Sequence, residues 1–94
     1  MNLEELRKHK PQIEAIAAKH GISNIRVFGS VARGEARPDS DVDFLADLSR
    51  SRGFGFVRAK RELAEFLGCE VDMVDDSYMD KYISPYILKE AVPL

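Results

Sequence analysis

Apolar residues near the N-terminus recur at the spacing of an amphipathic helix. Asn2 suits the N-cap of that helix, because its side chain can accept a hydrogen bond from a free backbone amide. Pro11 is expected to kink or restart the helix. Lys19, His20 and Gly21 then form a typical helix end, with cations near the negative pole and a glycine for the left-handed cap.

Three later segments have strand character instead, with side chains alternating between two faces. They are IRVF (residues 25–28), DVDFLADL (residues 41–48) and EVDMV (residues 70–74). In the second segment the apolar side chains of Val42 and Phe44 point one way, and those of Asp41, Asp43 and Leu45 point the other. The pattern therefore predicts a strand with two carboxylates on one face.

Helical segments separate these strands. Residues 30–33 suit one helical turn after the first strand, and the tail from Ser77 is helical in pattern but broken by Pro85. SRSRGFG (residues 49–55) is a flexible connection. A longer helix that ends at Gly68 is predicted by five apolar residues: Phe56, Ala59, Leu63, Phe66 and Leu67.

The order of these elements defines the expected fold class. Helices and strands alternate, which predicts an α/β fold: a small mixed sheet of about three strands with flanking helices. With 94 residues, the chain is expected to be a single domain spanning residues 1–94.

Composition and charge exclude some classes of function and indicate where the protein is located. A net charge of −2 argues against binding of long nucleic acid, which needs a basic surface. The single cysteine, Cys69, cannot form an internal disulfide and suits a reducing compartment. The charged N-terminal segment does not resemble a signal peptide, and no apolar run approaches the ~20 residues that cross a bilayer. We therefore expect a cytoplasmic protein with no membrane association.

The paired aspartates are the first candidate for chemistry. Residues two apart on a strand lie about 6.5–7 Å from each other, so Asp41 and Asp43 repel unless a positive charge sits between them. Carboxylate oxygens suit Mg²⁺, which also favours phosphate oxygens. Asp72 can join them if its strand pairs with theirs. We predict a metal site at Asp41, Asp43 and Asp72.

The Gly29-Ser30 turn is the second candidate. Glycine lets the backbone approach a phosphate closely, the following amides are donors, and the Ser30 hydroxyl adds another. Arg33 and Ser40 are further candidate phosphate contacts between turn and carboxylates. A pair of metal ions about 3.5–4 Å apart would activate the attacking oxygen and stabilise the leaving one. The two candidates together predict a nucleotide site.

These motifs resemble a known signature. Gly29-Ser30, ten intervening residues, Asp41-Val42-Asp43 and the later Asp72 resemble the pattern of the DNA polymerase β nucleotidyltransferase superfamily. The longer strings GSVARGEARPDSDVDFLADL and LGCEVDMV are similar to the minimal nucleotidyltransferases, the MNT branch. The resemblance covers residues 6–94, and four separated motifs agree in order and spacing.

The resemblance implies a polymerase β-like fold, two Mg²⁺ ions and ATP as substrate. By motif match, Asp41 and Asp43 bind both metals, Asp72 helps position the attacking hydroxyl, and Gly29 and Ser30 contact the triphosphate. The implied reaction transfers AMP from ATP to a hydroxyl and releases pyrophosphate. Small members often pair with a helical HEPN toxin as its antitoxin, and some adenylylate a tyrosine of that partner. The loop SRSRGFGF departs from the more acidic or hydrophobic connection that the resemblance leads us to expect on the acceptor side.

Other interpretations stay open. The aspartates could be exposed charges on an edge strand, Gly29-Ser30 an ordinary turn, Ser40 a turn residue and Arg33 a solvated or partner-facing cation. A non-catalytic antitoxin that neutralises the toxin by direct binding is the alternative function. An enzyme needs a surface for its acceptor, and we predict that part of the tail from Ser77 is a surface for the HEPN toxin, built on five residues: Tyr82, Ile83, Tyr86, Ile87 and Leu88.

Overall fold

The computed structural model describes residues 1–37, 39–51, 53–76 and 85–94. The helices are α1 (Leu3–Lys8), α2 (Lys10–Lys19), α3 (Ser30–Arg33), α4 (Gly55–Leu67) and α5 (Pro85–Glu90). The strands are β1 (Ser23–Phe28), β2 (Val42–Asp47), β3 (Val71–Asp75) and β4 (Val92–Pro93). The predicted alternation of helices and strands is confirmed.

Local sequence explains where the N-terminal helices begin and end. Asn2 is the N-cap of α1, and its Oδ1 accepts a hydrogen bond of 2.8 Å from the Glu5 amide. The helix restarts after His9, with Pro11 in the first turn of α2, where proline removes no helical hydrogen bond. Gly21 follows the C-cap with φ of +76°. The predicted restart at Pro11 and stop at Gly21 are therefore confirmed.

The sheet is mixed and has the strand order β3-β2-β1-β4. β2 pairs antiparallel with β1 and parallel with β3, and β4 pairs antiparallel with the outer side of β1. Within the described residues the sheet thus has four strands, rather than the predicted three or so. β4 has only two residues, Val92 and Pro93, too few for an alternating pattern to be visible in the sequence.

One face of the sheet carries the hydrophobic core. Val42, Phe44 and Ala46 of β2 are buried there against α1, α2 and α4. On the opposite face β2 carries Asp43 and Leu45, as the predicted alternation requires. The core therefore fixes which face of the sheet can present the aspartates.

An ion pair lies beside β1 and β3. Arg26 of β1 donates a hydrogen bond of 2.5 Å to Asp76, just after β3, and both side chains are largely buried. The pair joins β1 to the residue that follows β3, and these two strands are not neighbours in the sheet. It therefore ties β1 to the end of β3 across β2.

The predicted partner surface falls largely outside the described part of the chain. Tyr82 and Ile83 lie outside it, and the side chains of Tyr86 and Leu88 are likewise not described. That surface therefore stays a prediction. Among the described residues, none of the helices has both the length and the apolar character to span a bilayer.

Candidate active site

The three predicted aspartates lie at one end of the sheet. Asp43 of β2 is opposite Asp72 of β3 in the parallel register, so their strands bring the carboxylates to neighbouring positions about 5 Å apart in the backbone. Asp41 immediately precedes β2 and is exposed. The tertiary structure therefore brings together carboxylates that lie about thirty positions apart in the sequence.

The electrostatics of Asp43 show how these carboxylates affect one another. Burial raises the pKa of Asp43, and the charges of Asp72, Asp41 and Glu90 raise it further. The charge of Arg33 lowers it, but has the smallest effect of the five. Asp43 thus carries its negative charge at a free-energy cost that a nearby cation would relieve.

Asp72 is held at the edge of this group. Its Oδ1 accepts a hydrogen bond of 2.9 Å from the Met73 amide and lies 3.7 Å from Lys60 Nζ. The Asp72 side chain is 63% exposed. Of the paired Asp43 and Asp72, Asp72 is thus the more accessible to an incoming molecule.

The donor set suits a divalent cation. All three side chains offer hard carboxylate oxygens, and the mutual repulsion at Asp43 is the condition that Mg²⁺ would remove. In the described ranges, no three histidine, cysteine, aspartate or glutamate side chains already form a cluster able to hold a metal. Asp41, Asp43 and Asp72 thus fit the ion by type and position, and their side chains would have to turn toward it.

Gly29 is fixed by its contact with Asp43. It precedes α3 with φ of +77° and ψ of −154°, a conformation open almost only to glycine. A Cβ there would lie well inside 3.0 Å of Asp43 Oδ2, a separation that real Cβ atoms do not show. Sequence reasoning expected glycine here for the approach of a phosphate. The structure adds a second reason, because the turn packs directly on a predicted metal ligand.

Glu90 was missed by sequence reasoning. Its Oε2 accepts a hydrogen bond of 3.2 Å from the Gly29 amide, and its Oε1 accepts one from Arg33 Nη1. These bonds lower the pKa of Glu90, that from Arg33 most strongly. No pattern in the sequence indicated this contact, since Glu90 follows Gly29 by 61 positions.

The remaining predicted phosphate contacts lie on or near α3. Ser30 and Arg33 are its first and last residues, and Arg33 Nε also donates a hydrogen bond of 3.0 Å to Glu35. Ser40 serves a turn, since its Oγ accepts a hydrogen bond of 2.8 Å from the Arg37 amide. The phosphate roles of Ser30, Arg33 and Ser40 stay predictions.

Comparison with known proteins identifies the class. The model of the nucleotidyltransferase domain family matches residues 7–93. A Methanocaldococcus jannaschii protein named as a protein adenylyltransferase, MJ0435, is 37% identical over 93 residues, which cover 98% of this chain and 97% of that protein. The protein adenylyltransferase MntA of Thermococcus cleftensis is 35% identical over 97 residues, with 98% and 95% covered.

A solved structure agrees with this class. It is described as that of a minimal nucleotidyltransferase, and it is 40% identical to this chain with a TM-score of 0.79. The match covers 100% of this chain and 97% of the other. The chain therefore belongs to the nucleotidyltransferase domain family, in its minimal branch.

Proposed function

We propose that the protein transfers AMP from MgATP to a hydroxyl group of a partner protein. The observation that carries this proposal is the register of β2 and β3, which sets Asp43 beside Asp72 next to the Gly29-Ser30 turn. A group of carboxylates and a turn that carries hydrogen-bond donors are the two requirements of a site for a metal-bound triphosphate. The match to the family along residues 7–93 supports it.

Each residue has a proposed role. Asp41 and Asp43 hold the metal, for which we propose two Mg²⁺ ions, with Asp72 as the third carboxylate of the site. When bound, Mg²⁺ supplies Lewis-acid stabilisation of charge on the phosphate oxygens. Gly29, Ser30 and Arg33 bind the triphosphate through the turn amides, a hydroxyl and a guanidinium, and Ser40 holds the turn that leads into β2.

Asp72 is the proposed base. The acceptor oxygen attacks the α-phosphorus of ATP, the bond from that phosphorus to the bridging oxygen breaks, and pyrophosphate leaves. The hydroxyl proton goes to an Asp72 carboxylate oxygen. The exposure of Asp72 supports this role, because an acceptor on another protein has to reach it.

The two relatives described above are named protein adenylyltransferases, and these names support a protein as the acceptor. We further propose that the acceptor is a tyrosine of a HEPN-type toxin, that the two proteins form a hetero-oligomer, and that the chain acts as the antitoxin. This finer proposal rests on the family resemblance alone.

The test is incubation with labelled ATP, Mg²⁺ and the product of the adjacent gene, followed by mass mapping of the labelled residue. Asp43→Asn serves as the inactive variant. Asp47→Asn is its matched control, because Asp47 lies on the same strand and face but bonds to the Ser49 amide. We expect label on a tyrosine of the partner with the wild type and with Asp47→Asn. Toxin neutralised without label would favour the binding antitoxin instead.

A further inference from the structure

We propose that Glu90 is an autoinhibitory residue, whose carboxylate occupies the phosphate donors of Gly29 and Arg33 and must leave before a triphosphate can bind. This inference rests on the proposed function, because it concerns the same nucleotide site. Both oxygens of Glu90 are used: one by the Gly29 amide at 3.2 Å and the other by the Arg33 guanidinium. A carboxylate with two engaged oxygens is a fair substitute for two oxygens of a phosphate group.

The fold itself places Glu90 there. β4 pairs antiparallel with β1, with Val92 opposite Val27 and Pro93 opposite Arg26. Glu90 is the last residue of α5 and precedes Val92 by two positions, just as Gly29 follows Val27 by two positions. The strand is further held by a hydrogen bond of 3.1 Å from Arg7 Nη2 to the Pro93 carbonyl. The pairing of β4 with β1 therefore holds the end of α5, and with it Glu90, beside the Gly29 turn.

Two carboxylates share Arg33, but they differ in burial. The Glu90 side chain is 19% exposed and the Glu35 side chain 65% exposed. Among the described residues, the Glu35 carboxylate accepts a hydrogen bond from Arg33 alone, whereas the Glu90 carboxylate also accepts one from the Gly29 amide. Solvent screens an exposed pair strongly, so Glu90 is the carboxylate that competes with phosphate. Glu35 is thus a natural control.

Glu90 also adds negative charge where the triphosphate would bring its own. Its charge reaches Asp43, whose pKa it helps to raise. A nucleotide that enters with Glu90 in place would meet this repulsion and would find both donors taken. Glu90 is held at the turn through its carboxylate oxygens, while its backbone lies at the end of α5, where the Ala91 amide bonds to the Ile87 carbonyl.

The experiment measures binding of a non-hydrolysable ATP analogue and of inorganic tripolyphosphate, both with Mg²⁺, by calorimetry. Glu90→Ala is compared with wild type and with Glu35→Ala. We expect the dissociation constants to fall about tenfold for Glu90→Ala and to change less than about twofold for Glu35→Ala. Glu90→Gln keeps the side-chain length and should lie between wild type and Glu90→Ala. Circular dichroism confirms that each variant is folded.

The outcomes separate this inference from the proposed function. If Glu90→Ala binds the probes no more tightly than wild type does, autoinhibition is overturned. Weaker binding by Glu90→Ala would instead assign Glu90 to holding Arg33 in place. If folded wild type, Glu35→Ala and Glu90→Ala all fail to bind either probe, the nucleotide site itself is wrong and the inference falls with it. Equal gains in Glu90→Ala and Glu35→Ala would show only a general charge effect and would also overturn it.

Discussion

The two halves of the candidate site differ in their electrostatics. In the carboxylate half, burial raises the pKa of Asp43, and the charges of Asp72 and Asp41 raise it further. In the donor half, Glu90 satisfies Gly29 and Arg33, and its own pKa is lowered by them. One half is arranged to attract a cation, while the other already holds an anion.

This difference predicts how readily the site binds a cation and how readily it binds a triphosphate. Cation binding relieves a cost that the fold already carries, so it should be favoured at neutral pH. Triphosphate binding has to replace hydrogen bonds that already exist, so it gains only the difference between two sets of partners. The following changes separate the two halves, in order of expected effect.

Removal of the Asp43 charge should have the largest effect. Asp43→Asn is expected to lower transfer about 100-fold or more, because a metal ligand is lost, while the thermal midpoint without Mg²⁺ stays equal or rises. Steady-state kinetics measures the rate of transfer, and thermal unfolding without Mg²⁺ measures the midpoint. Asp47→Asn should leave both nearly unchanged. Near-normal transfer by the Asp43 variant would refute the metal assignment.

Asp72 tests the chemistry of the carboxylate half apart from binding. Asp72→Asn should reduce turnover about 100-fold and change nucleotide affinity less than about threefold, because its proposed task is to accept a proton. Turnover and calorimetric affinity are compared in the same preparation. Glu70→Gln, an exposed change two positions earlier, is the control. A parallel loss of affinity would make Asp72 a metal ligand first.

Gly29 connects the two halves, and its substitution should disturb both. Gly29→Ala is expected to destabilise the fold by about 3 kcal/mol, because the backbone is strained and the new Cβ collides with Asp43. Gly34 has nearly the same φ, +76°, but a Cβ there meets nothing within 4 Å. Gly34→Ala should therefore cost about 1 kcal/mol, measured by urea unfolding. Equal costs would contradict the contact with Asp43.

The smallest effect expected is a pH dependence of opposite sign in the two halves. The folded-state pKa of Asp43 is raised, so its contribution to stability falls as pH rises from about 4 through that pKa. The pKa of Glu90 is lowered, so its contribution is present above about pH 4 and is lost as pH falls through the folded-state value. Urea unfolding between pH 3 and 7 checks both signs.

Variants identify the source of each slope. The stability gained by Asp43→Asn over wild type should grow with pH, whereas the stability lost by Glu90→Gln should shrink toward acid. If neither variant alters the pH dependence of the free energy of unfolding, other groups determine the change in stability at acid pH.

Local pattern was enough for much of this molecule. The restart at Pro11, the single turn Ser30–Arg33 and the alternation in β2 follow from residues a few positions apart, and each is present in the structure. The candidate site residues were likewise predicted from spacing and from resemblance. Short-range sterics and side-chain period act within one segment, which is why the sequence alone could determine them.

Tertiary structure decided what depends on pairing between distant segments. β4 is too short to be recognised by its own pattern, yet its pairing with β1 holds the end of α5 where Glu90 bonds to Gly29, 61 positions earlier. The contact of Gly29 with Asp43 and the pair of Arg26 with Asp76 likewise join residues from separate segments of the chain. Strand register is chosen by burial of one face across the whole sheet, a property that no single segment contains.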